Sequence, residues 1–123
     1  MGTHVTALLE GREPYDIYTW AVELFESRDH LAAIEALEHL LDRAPDSELG
    51  AARELLTRAY FHSAQLGKAA ESARDLLAKD PDNGYAALVL YRSLERAGRA
   101  EEAAGYKRVA EALGMNVGGR PQD

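Results

Sequence analysis

Leu40-Leu41-Asp42-Arg43-Ala44-Pro45-Asp46 returns 36 residues later as Leu76-Leu77-Ala78-Lys79-Asp80-Pro81-Asp82. In each copy two leucines and a basic residue run into a proline, which cannot continue a helix and so closes one. Ahead of the copies stand Ala33 and Ala69, and moving 34 residues on from Ala69 lands on Ala103. Self-similarity at this spacing is the mark of stacked helical units, because each unit alone leaves an apolar face that only a neighbour can bury.

Outward from these copies, the chain is dense in Ala, Leu, Glu and Arg, with apolar residues at three- and four-residue spacing and no alternating strand pattern. Pro14, Pro45-Asp46-Ser47 and Pro81-Asp82-Asn83-Gly84 are strong breaks, and Ser27-Arg28-Asp29, Gly67 and Gly98 weaker ones. The pattern predicts six helices, over about 15–27, 30–43, 48–65, 68–79, 84–97 and 100–113. Pro14 suits a first helical turn, Asp29, Ser47 and Asn83 are candidate N-caps, and Gly114 is a candidate C-terminal cap. Beyond it, Met115 to Asp123 reads as a disordered tail, residues 118–123 lying outside any repeat.

The chain of 123 residues is one ordinary domain in size, 46% hydrophobic and 28% charged. Acidic residues outnumber basic ones 21 to 14, a net charge of −7, which argues against nucleic acid as a partner. There is no cysteine, so disulfides, thiolate metal sites and cysteine nucleophiles are excluded. No apolar run approaches the ~20 residues of a membrane span, and no secretory leader precedes the first helix. Gly2 with Thr6 matches the loose myristoylation pattern, but the pattern is short and a frayed N-terminus is the expected reading. The expectation is a cytoplasmic protein without membrane contact.

These features together make the chain resemble the tetratricopeptide repeat family. Three repeats cover 14–47, 50–83 and 84–117, after an N-terminal extension over 1–13. The small residue of the family's second helix falls on Ala33, Ala69 and Ala103, and its closing proline on Pro45 and Pro81, with Met115 in the last repeat. The glycine between helices falls on Arg28, Ala64 and Gly98, and the late aromatic of the first helix on Leu24, Tyr60 and Leu94. The usual tryptophan is replaced by Ile17, Arg53 and Ala87, Arg53 fitting worst. The resemblance implies an all-α fold, a right-handed superhelix (α-solenoid) of three stacked helix-turn-helix units. Lys107, Arg108 and Glu111 would make the last helix its own polar cap.

No catalytic constellation is present. His4, His30, His39 and His62 contain no pair at four-residue helical spacing, so the expectation is solvated histidines and no metal. Carboxylate clusters such as Glu101-Glu102 suit a helix N-terminus, where the dipole favours negative charge. Neither a cofactor nor an enzymatic activity is expected.

The informative surface follows from helix geometry. Trp20, Ala21 and Leu24, then Leu56, Thr57 and Tyr60, then Leu90, Tyr91 and Leu94 define inner faces. At 100° per residue the opposite faces carry Tyr15, Tyr18, Val22 and Phe25; then Leu55, Arg58, Phe61 and His62; then Tyr85, Leu88, Val89 and Arg92. By the resemblance these line a concave groove. Its apolar character marks it as a surface for a peptide or helix of another protein. The alternatives are ordinary packing between neighbouring helices, cover by Val5 to Leu9, or self-association of a homo-oligomeric structural protein, such as a homodimer. The family's carboxylate clamp is not supported, because its columns hold Tyr18, Val22, Leu55 and Val89.

Overall fold

The computed structural model describes residues 11–43 and 50–118. Among them are six helices and no strand: α1 Pro14–Glu26, α2 His30–Arg43, α3 Gly50–His62, α4 Leu66–Lys79, α5 Gly84–Arg96 and α6 Ala100–Ala112. The chain divides into two compact units, Met1–Ser63 and Ala64–Asp123.

In the first unit α2 packs on both α1 and α3, and α1 also touches α3. Pro14 occupies the first turn of α1, where its missing N–H leaves no donor unsatisfied. Asp29 caps α2 by accepting the Ala32 N–H at 3.2 Å. Ala33, Ala36, Leu37 and Leu40 of α2 are buried, and they recur at the three- and four-residue spacing of one helix face. The two fully buried leucines contribute roughly 1.5–3 kcal/mol each through removal from water. From α1 this core receives Ile17 and Ala21. Trp20 and Leu24, expected to lead that face, are only half-buried. Ile17 lies one turn before Ala21, so the buried stripe is rotated toward it. The phenol of Tyr60 donates to the Glu38 carboxylate, tying α3 to α2.

In the second unit α5 packs against both α4 and α6. Asp80 builds the entry turn, accepting the Asp82 N–H on its side chain and the Asn83 N–H on its carbonyl. Asn83 then caps α5 by accepting the Ala86 N–H at 3.0 Å. α5 is buried on nearly every side, from Ala86 through Tyr91 and again at Ser93 and Leu94. α6 buries only Ala103 and Ala110, leaving Lys107, Arg108 and Glu111 in solvent. Arg74 on α4 pairs with Glu102 on α6, which also holds Arg99 at 2.7 Å. The helix bounds differ from expectation mainly between α3 and α4: α3 ends at His62 instead of near 65, and α4 starts at Leu66 instead of near 68. The candidate cap Ser47 lies outside the described residues.

The three columns assigned to an interhelical glycine share one backbone state. Arg28, Ala64 and Gly98 have φ of 66°, 62° and 81°. At Arg28 and Gly98 the surrounding bonds form a Schellman motif: Asp29 N–H to Leu24 O with Arg28 N–H to Phe25 O, and Arg99 N–H to Leu94 O with Gly98 N–H to Glu95 O. Ala33, Ala69 and Ala103, the small-residue column, are all buried.

Gly114 repeats the motif at the end of α6, with φ of 86°, Met115 N–H to Ala110 O and Gly114 N–H to Glu111 O. The chain beyond it corrects an expectation. Residues 115–118 do not behave as a disordered tail, since Met115 and Val117 are half-buried against α5. The remainder, 119–123, lies outside the described residues.

Candidate functional site

The candidate residues fall into the two units, and each set is described within its own. On α1, Tyr15, Tyr18, Val22 and Phe25 follow one another at three, four and three residues, a single helix stripe. Tyr15 is 71% exposed, while the other three are half-buried. Thr19 donates back to the Tyr15 carbonyl at 3.0 Å, so its hydroxyl turns onto the helix.

The C-terminal end of this stripe is an aromatic and cationic cluster. Phe25 lies 5.1 Å from His30 and 5.7 Å from His62, the latter edge-on. His30 and His62 are stacked at 5.5 Å, and Phe61 meets His62 edge-on. The Arg58 guanidinium sits 5.1 Å from the Phe25 ring centre. The expectation that His30 and His62 are lone solvated side chains is therefore corrected. They stand on different helices, 32 positions apart, and helix packing rather than sequence spacing brings them together. Sequence periodicity within one helix carries no signal for such a pair. Among the described residues no group of three or more metal-ligating side chains occurs.

Leu55 and Phe61 on α3 are buried, at 6% and 4% exposure. Leu88 and Val89 on α5 are buried too, Val89 completely. The expectation that these four present an open face is corrected, and helix packing is the reason. α3 and α5 each pack on two partners, so a residue opposite one contact faces another. Val5 to Leu9, considered as a cover for the face, lie outside the described residues.

On α5, Tyr85 and Arg92 are half-buried. Arg92 Nη2 donates to the Val117 carbonyl at 2.8 Å, and its Nη1 is 3.7 Å from Glu95. Glu95 also accepts the Tyr91 hydroxyl at 3.1 Å. Burial, then the Glu95 carboxylate, raises the Tyr91 pKa above its ordinary 10.0. This places a neutral phenol, a carboxylate and a guanidinium in one row beside the returning chain. The packing of this segment was not legible in the sequence because Gly114, Asn116 and Gly118 give it the composition of a loop.

No family model, curated protein or solved structure matches this chain.

Proposed function

We propose that this protein is a non-catalytic interaction module, built from tetratricopeptide-like helical hairpins, that binds a peptide or helical segment of another protein on α1. The stripe Tyr15–Tyr18–Val22 carries the reading, because it keeps Tyr15 exposed and Tyr18 half-exposed on a helix whose opposite side is core. Tyrosine combines a large apolar body with a polar tip, and interface energy concentrates in such anchors and in arginine. Arg58 and the stacked histidines stand at the stripe's end and give it a polar border. The repeat assignment draws support from the shared positive φ at Arg28, Ala64 and Gly98 and from the buried alanines 33, 69 and 103. No described helix is long and apolar enough to cross a membrane. A cytoplasmic setting is part of the proposal.

The test uses a partner recovered with the intact chain from its native cell, titrated against wild type and Tyr15→Ala/Tyr18→Ala. A loss of ~1 kcal/mol at each tyrosine gives about thirtyfold weaker binding. Thermal melts should hardly move for Tyr15→Ala alone, since Tyr15 is exposed. Equal affinity for both proteins would remove α1 from recognition. Sizing across a dilution series separates this reading from self-association, which predicts a concentration-dependent mass.

A further inference from the structure

Asn83 and Gly84 are neighbours that the fold selects for separate reasons. Asn83 caps α5, its side-chain oxygen accepting the Ala86 N–H at 3.0 Å and its carbonyl the Ala87 N–H at 3.2 Å. Gly84 opens the helix, and a Cβ there would stand 2.8 Å from the Met115 Sδ and 3.5 Å from the Leu113 Cβ. The cap calls for a short polar side chain, and the seat of Met115 calls for a bare Cα. Meeting both demands puts a side-chain amide directly before an unhindered backbone nitrogen.

That pair carries chemistry of its own. The Gly84 nitrogen can attack Asn83 Cγ, forming the N–Cγ bond of a five-membered succinimide. The Cγ–Nδ2 bond breaks, and Nδ2 leaves as ammonia with the proton of the Gly84 N–H. Water then opens the ring at either carbonyl, giving aspartate or an isoaspartate whose main chain runs through Cβ. Water is the only co-reactant. The chain's other asparagine, Asn116, precedes Val117, whose branched Cβ crowds the same approach.

The native turn withholds the reaction. Ring closure needs the Gly84 nitrogen to eclipse Cβ about the Cα–C bond of Asn83. At the observed ψ of 91° that nitrogen lies on the far side of the bond. The arrangement is held from both directions, by the cap bond to Ala86 and by the Asn83 N–H donating to the Asp80 carbonyl at 3.0 Å. Attack has to wait until the cap breaks and the turn rotates.

We propose that Asn83–Gly84 is a self-modifying site, gated by opening of the turn that enters α5, and that isoaspartate formed there releases Met115 from its bed. Aspartate keeps an oxygen for the cap, where the helix dipole favours its charge. Isoaspartate adds a carbon to the main chain and turns the old carbonyl into a pendant carboxylate, so the cap and Gly84 cannot both keep their places. The converted fraction then records how long the turn has stood open. The inference goes beyond the α1 reading, since it concerns a different helix in a different unit.

The full chain is held in mildly alkaline buffer with and without urea, and the tryptic peptide 80–92 is followed by mass and by separation of its aspartate and isoaspartate forms. Conversion at Asn83 should be at least about fivefold slower in the folded chain, the factor that one N-cap supplies. Through sub-denaturing urea it should rise in step with hydrogen exchange of the Ala86 N–H. Equal rates folded and unfolded, or a rate that ignores the exchange of Ala86, overturn the gate. N83S, which keeps a cap without an amide, should hold the mass of this peptide throughout, and a gain in mass there would overturn the assignment to Asn83. The purified isoaspartate protein should keep its helix signal and show the Met115 methyl resonance at its unfolded position, whereas N83D should leave it at the wild-type one. A methyl unmoved by isoaspartate, or loss of the helix signal, overturns the link to Met115. Y15A/Y18A should alter none of these readings, so failure here and failure of the α1 reading are told apart.

Discussion

Arg58 on α3 stands with its guanidinium carbon 5.1 Å from the centre of the Phe25 ring on α1, a cation over an aromatic face that links two helices not adjacent in sequence. Such a contact contributes about 0.5–1 kcal/mol where water still reaches it. A double-mutant cycle with Phe25→Leu and Arg58→Met should therefore return a coupling of about 0.5–1 kcal/mol in thermal or urea unfolding. Strict additivity would reduce the pair to shape-filling.

The interhelical turns can be improved. Arg28 and Ala64 hold φ of 66° and 62°, where a Cβ crowds the following carbonyl. Arg28→Gly and Ala64→Gly should each stabilise the protein by about 0.5–1 kcal/mol, and Gly98→Ala should cost about as much. Melting curves check all three. A loss on Arg28→Gly would mean that the arginine side chain supplies more than the turn loses.

The alanine column should resist enlargement. Ala33 is 0% and Ala103 2% exposed, each in a helix packed against its hairpin partner. An indole at either position must displace neighbours, at a typical ~1–3 kcal/mol. Ala33→Trp and Ala103→Trp should lower the melting temperature, whereas Ala104→Trp, at an exposed neighbouring site, should not. Unchanged melts for the first two would place the column away from the packed faces.

Alkali should loosen the second unit through Tyr91. Burial and then Glu95 raise its pKa in the folded state, so the folded chain keeps a proton that the unfolded chain releases near 10.0. That contribution is fully present below pH 10.0 and is lost as pH rises toward the raised folded value. Tyr91→Phe should be less stable at pH 7 by about 0.5–1.5 kcal/mol, the net worth of one hydrogen bond. The two melting curves should converge above pH ~10. A constant gap would show that the phenol keeps its ordinary affinity for the proton.

The helices were legible because their signals are local. Pro14, Asp29, Asn83 and Gly114 do what their residue types and positions imply, and the columns at 28, 64 and 98 adopt one backbone state. Exposure was less legible. Leu55, Phe61, Leu88 and Val89 lie opposite the expected inner faces, yet α3 and α5 each have two packing neighbours, which periodicity along one helix does not register. The stacking of His30 on His62 depends on where α2 meets α3, and the bed of Met115 depends on Gly84 being bare. Both are products of tertiary packing.

Gly114 turns the chain back on itself, and this ties Met115 and Val117 to α5 through a short intramolecular link. A segment joined by so short a link has an effective concentration of about a millimolar or more. A free peptide with identical contacts reaches half-occupancy only at that concentration, and at micromolar levels it is ignored. The reversal at Gly114 thus keeps the segment seated on α5, and a longer link would lower that advantage.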